Sequence, residues 1–216
     1  MYLALLTAAG LVSLLLATVA WRNRRHPGFR YFAAMELATA WWILCYLGEQ
    51  LDPARATIWF ALKFPAIGMV PPSWLLFTLH QMGTRPRSRA WWLAYLWPAL
   101  LLPLVATNDS HRLFFAEIVR QQEIVGLNGP LFPFHLAISY TFFLVAAAML
   151  LSDWQRRGSV QSGLLFIGGL IPFAGNVLNE LGKATPVVGA YLVYNPTLPG
   201  FAFSAVFIGW AVLRYR

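Results

Sequence analysis

"LCYLGEQLDPARATIWFALKFPAIGMVPPSWLLF" (Leu44–Phe77) joins the end of one long apolar run to most of the next. It places an acid, Glu49, at the end of the first run and a base, Lys63, inside the second. Charged side chains at such depth in an apolar segment are rare and costly. The runs on either side are long enough to cross a hydrocarbon core, which needs about 20 apolar residues per helix. The reading of this stretch decides the fold: the runs are transmembrane helices, and the two charges belong inside their bundle.

Composition agrees. The chain of 216 residues is 59% hydrophobic and only 11% charged, with ten Trp, sixteen Phe and eight Tyr. A soluble domain carries about a quarter charged residues. The expected class is an all-α membrane protein, a single domain over 1–216. Seven spans are predicted, at about 2–20, 31–50, 58–82, 91–106, 133–151, 162–180 and 197–213. The opening run "MYLALLTAAGLVSLLLATVAWRNRR" has its positive charges after the apolar segment, the reverse of a signal peptide, so it reads as a retained first span. The short fourth span is expected to be irregular. Pro71, Pro72 and Pro172 predict kinks or local unwinding in the third and sixth spans.

Eleven of the sixteen Lys and Arg residues fall at one set of helix ends: Arg22, Arg24, Arg25, Arg30, Arg85, Arg87, Arg89, Arg156, Arg157, Arg214 and Arg216. The opposite connections hold Arg55, Arg112, Arg120 and Lys183. The positive-inside rule then puts the N-terminus outside and the C-terminus inside. The net charge of +8 is accounted for by this topology, and nucleic acid is not an expected partner. One outer segment, 108–134, alternates apolar and polar residues around Gln121-Gln122 and predicts a small β-hairpin. With the segment 181–199 it is expected to form a lid over the outer mouth.

Sorting the ionisable groups by depth singles out Glu49, Lys63 and Glu180, at the outer ends of the second, third and sixth spans. Trp42, Tyr46 and Glu49 are spaced i, i+4, i+7 and share a face. Trp59 and Lys63 are four apart, and Trp74 lies eleven from Lys63, about three turns on. Pro172, Asn176 and Glu180 follow at intervals of four. Lys63 would be the cation, with Glu49 or Glu180 as counter-ion. Two readings stay open. One is a structural tie between helices. The other is the polar floor of an aromatic-lined pocket for a small amphipathic ligand, with Glu49, Lys63, Glu180, Asn176, Trp42, Tyr46, Trp59 and Trp74 as its residues. Glu36 and His80 read as interfacial, with Arg30 near enough for an ion pair, and His135 as a solvated helix-end residue. No glycine-rich phosphate loop, HExxH or zinc-spaced Cys/His cluster occurs, and no catalytic residue, metal or cofactor is expected. A retinal lysine is missing from the last span.

"RHPGFRYFAAMELATAWWILCYLGE" (25–49), "VPPSWLLFTLHQMG" (70–83) and "TNDSHRLFF" (107–115) together resemble the N-terminal seven-transmembrane sensor region of bacterial histidine kinases. The resemblance covers nearly the whole chain. It implies an input module in the bacterial cytoplasmic membrane that passes a signal to a cytoplasmic kinase or other output domain, and a homodimer stands among the candidate assemblies. No such output domain follows "VLRYR" (212–216) in this sequence. A signal would leave through motion of the sixth and seventh spans, with Gly168, Gly169 and Pro172 as the bending point. Competing readings are a small transporter, for which related halves would be expected but no repeat is visible, an intramembrane enzyme, and a structural membrane subunit.

Overall fold

The computed structural model describes residues 2–84, 89–120, 124–184 and 195–214. Its helices are α1 (Tyr2–Arg22), α2 (Phe29–Leu51), α3 (Ala56–Gln81), α4 (Leu96–Ala106), α5 (Asn108–His111), α6 (Phe132–Arg157), α7 (Val160–Ala184) and α8 (Thr197–Arg214). The chain is an all-α membrane protein with one small sheet. Among the described residues four segments are long and apolar enough to cross a bilayer: Tyr2–Arg22, Pro53–Gln81, Phe132–Arg157 and Val160–Gly182. The α2 helix, with 23 residues, is long enough as well, but Arg30, Glu36 and Glu49 dilute its apolar run. The fourth predicted span is irregular, a 3-10 stretch (Arg89–Tyr95) leading into only 11 residues of α-helix.

The expected unwinding at proline does not occur. The α3 helix continues through Pro65, Pro71 and Pro72, and α7 continues through Pro172. A proline removes one amide donor and leaves the rest of the ladder available to hold the turn.

The chain divides into two compact units, and the division falls within α1 and within α6: Ala17–Ala146 is one, Met1–Leu16 with Ala147–Arg216 the other.

In the first of these units α2 and α3 pack antiparallel along their length. Gly48 accepts the indole of Trp59 so closely that a Cβ there would overlap the ring. Further along, Phe32 meets Phe77 at 5.2 Å between ring centres. Gly68 likewise lets Leu101 and Pro98 of α4 approach α3. Beyond α4 comes the predicted hairpin, β1 (Phe115–Arg120) paired antiparallel with β2 (Ile124–Asn128), with a bulge between Phe115 and Glu117. Its expected turn at Gln121-Gln122 lies outside the described residues.

In the other unit α7 and α8 pack as a close pair. A Cβ on Gly168 would lie 2.8 Å from Ile208 Cγ1, one on Gly175 2.8 Å from the Pro196 carbonyl oxygen, and one on Gly200 3.0 Å from Pro172 Cα. Small residues that bring backbones together are the usual glue between helices in lipid. Gly168, read from sequence as a hinge residue, is therefore a packing residue. The α6–α7 turn is tied by Ser162, whose hydroxyl donates to Asp153 Oδ2 at 2.6 Å. Most of the segment expected to form the second half of the lid, 181–199, lies outside the described residues.

Candidate functional site

The α2–α3 pairing sets the site. Antiparallel packing brings residue 49 of one helix to the level of residue 63 of the other, as it brings Phe32 to Phe77. Lys63 Nζ stands 2.8 Å from Glu49 Oε1 and 3.1 Å from Oε2. The carboxylate side chain is 1% exposed and the lysine side chain 10%. Three rings surround the same ammonium, with Phe60 4.2 Å, Tyr46 5.8 Å and Phe64 5.9 Å from Nζ to ring centre. Their electron-rich faces add attraction to the carboxylate, about 2 kcal/mol or more for a desolvated cation–π contact. An unpaired charge at this depth costs about 2.5–3.5 kcal/mol on insertion scales. The arrangement explains how both charges stay in an apolar bundle.

The rings continue outward into a cluster that sequence spacing did not reveal. Phe60 and Phe64 pack on Phe115 at 5.2 and 5.0 Å between ring centres, and Phe64 meets Phe114 at 5.4 Å. Leu101, Val105 and Phe132 complete the buried set. Asn108 holds Phe114 and Phe115 in it. Its Oδ1 accepts from the Phe114 and Phe115 amides at 3.1 and 2.9 Å, and its Nδ2 donates to the Phe115 carbonyl at 2.9 Å. Next to it His111 Nδ1 accepts from the Leu113 amide. His135 is not solvated as expected. It is 3% exposed, accepts a hydrogen bond from Trp97 Nε1 at 3.1 Å, and packs among Phe114 and Phe132.

The remaining predicted site residues separate by unit. Trp42 and Tyr46 are buried with Glu49 and Lys63 in the α2–α3 unit, and Trp59 is half-buried there. Trp74 is buried about three turns further along α3, with its ring 5.7 Å from that of Phe77, and does not join the pair. Trp59 Nε1 and Trp74 Nε1 are buried atoms with no hydrogen-bond partner among the described residues. Asn176 and Glu180 lie on α7 of the other unit, half-buried, and Glu180 accepts from Asn179 Nδ2 at 3.3 Å. Toward the other end of α2, Glu36 is 5% exposed. There the Arg30 guanidinium donates to the Tyr31 hydroxyl, and the Tyr31 and His80 rings stand 4.8 Å apart. Among the described residues no group of His, Cys, Asp and Glu could hold a metal ion.

The family model described as the N-terminal 7TM region of histidine kinase matches residues 5–216. The chain belongs to this family. The match spans both compact units and places the chain with the sensor part of histidine kinases, which is not their catalytic part. No curated protein and no solved structure matches the chain.

Proposed function

We propose that the chain is a signal-sensing module of seven membrane spans over 1–216, with its N-terminus outside and its C-terminus inside a bacterial cytoplasmic membrane. It binds a small amphipathic ligand on the outer side and passes the response to a cytoplasmic kinase or other output domain, as a monomer or with a second copy of itself. Family membership supports the sensor role. The topology draws support from exposed tryptophans beside arginines at helix ends: Trp21 with Arg24, Trp154 before Arg157, and Trp210 with Arg214. Aromatic and cationic residues of this kind anchor helices at the membrane interface.

The single observation that carries the ligand reading is the Lys63–Glu49 pair with its rings, which connect without a break to Phe114 and Phe115 at the base of the hairpin. One buried indole N–H group, on Trp59 and four residues before Lys63 on α3, has no acceptor in the described residues and suits a polar group arriving from outside. Glu180 and Asn176, on α7, are kept as separate candidates for ligand contact within their own unit. The completeness of the Lys63–Glu49 pair favours a second reading, a structural tie alone. Fusing the chain to a histidine-kinase output and comparing it with the Lys63→Met/Glu49→Gln double variant separates the two. A fusion that folds but loses its response to cell extract supports sensing through the pair. An unchanged response leaves the pair as a tie.

A further inference from the structure

Beside the aromatic cluster, α5, Arg112 and β1 border a half-open groove of about 480 Å³ lined by Asn108, Asp109, Arg112, Ala116, Glu117 and Ile118. This volume lies in the range of small-molecule sites, about 300–1,000 Å³. The groove carries charges of both signs. Among the described residues, no ion pair joins Asp109, Arg112 or Glu117 to another side chain. Ala116 sits in the bulge between Phe115 and Glu117, outside the ladder pairing. Such bulges re-aim neighbouring side chains and are common beside binding sites. Asn108, 4% exposed, forms part of the lining, and its amide group is the clamp on Phe114 and Phe115.

We infer that this groove binds a small zwitterion, an amino acid or short peptide with a free amine and a free carboxylate. The planar fork of Arg112 suits the carboxylate. Asp109 and Glu117 suit the ammonium, and Ala116 and Ile118 offer apolar surface to a side chain. A diamine would leave the guanidinium unused, and a simple anion would meet two carboxylates. Occupancy acts on Asn108, hence on Phe114 and Phe115, hence on Phe60 and Phe64, the rings around Lys63. That consequence rests on the sensor reading above; the binding itself does not.

Calorimetry on the 216-residue chain in nanodiscs tests it with three probes: glycyl-leucine, leucinamide with the amine alone, and N-acetylleucine with the acid alone. Glycyl-leucine is expected to bind, and the other two about tenfold or more weaker, the loss of one charge-assisted contact. Arg112→Asn keeps a residue that tolerates the φ of 52° at this position. It and Glu117→Gln are each expected to weaken glycyl-leucine about tenfold with unchanged melting temperature. No heat from glycyl-leucine overturns the inference. So does equal affinity for either single-charge probe, or an Arg112→Asn chain that binds like the parent. If glycyl-leucine binds but a kinase fusion does not respond to it, the groove stands and its link to signalling falls. If the fusion answers cell extract while glycyl-leucine gives no heat, the sensor reading stands and the groove falls.

Discussion

The α2–α3 pair and the α7–α8 pair solve one problem by opposite means. Apolar side chains gain little from meeting each other in lipid, because the tails are as apolar as they are, so helices need another reason to associate. Between α2 and α3 the reason includes charge: Lys63 against Glu49, walled by rings, with Trp59 laid on Gly48. Between α7 and α8 it is proximity: Gly168, Gly175 and Gly200 let the two helices touch almost backbone to backbone. The first interface holds two buried charges. The second has none among these contacts and fails only by steric intrusion. On the sensing proposal, the first interface is the one that responds and the second keeps the helix spacing.

The largest effect is expected at the charged interface. Lys63→Met leaves the Glu49 carboxylate buried without its counter-ion. Breaking a buried pair on one side costs about 3–5 kcal/mol. Thermal unfolding in nanodiscs should show the single variant far less stable than the Lys63→Met/Glu49→Gln double variant. A single variant as stable as the parent would mean that the pair contributes nothing and that the two interfaces differ only in appearance.

Asn108→Ala comes next. It strips acceptors from two amides and a donor from one carbonyl, all at the base of the hairpin. Each buried group left unpaired costs about 1–3 kcal/mol, and partial relaxation brings the expected total to about 3 kcal/mol. Asn108→Asp keeps the acceptor and should lose less. Hydrogen exchange at Phe114 and Phe115 reports the effect directly: both amides should exchange faster in Asn108→Ala. Unchanged protection there would show that the ring cluster holds the hairpin without the clamp.

The charged interface was legible in the sequence because charge in an apolar run is conspicuous and helical spacing fixes its face. Glu49, Tyr46 and Trp42 are buried on one face of α2 as their i, i+4, i+7 spacing requires. The hairpin was legible from its alternation. The ring cage was not, because phenylalanine is everywhere in such a chain and only the fold picks out Phe60 and Phe64. Asn108 was visible as part of a motif, but its contacts run to backbone groups six and seven residues on, which no pattern of residue types announces. His135 looked solvated because its helix begins there, yet the Phe114–Phe132 cluster covers that helix start. Gly168 looked like a hinge because glycine has two uses, flexibility and closeness, and sequence alone does not tell them apart.

Gly175→Val tests closeness at the second interface. The added side chain would meet the Pro196 carbonyl and Thr197 Cα, which are backbone and cannot swing aside. Overpacking of this kind costs about 1–3 kcal/mol. The expected result is a lower melting temperature, with the response of a kinase fusion also altered if α7 and α8 move as one body. A variant as stable as the parent would show that the two helices can separate freely, and the contrast with α2–α3 would collapse.

The smallest effect isolates the other use of glycine. Gly158, between α6 and α7, has φ of 65° and nothing within 4 Å of where a Cβ would sit. Space is therefore no constraint there, and only backbone conformation is. An L-residue in the left-handed region costs about 1 kcal/mol, and asparagine bears it better than alanine. Gly158→Ala should lower stability by about that amount, and Gly158→Asn by less. At Gly175 the order should differ, because there alanine is the smaller intrusion and asparagine the larger. Measuring both substitutions at both positions sets conformation against closeness in one protein. If alanine and asparagine rank the same way at the two sites, the distinction between a turn glycine and a packing glycine does not hold in this chain.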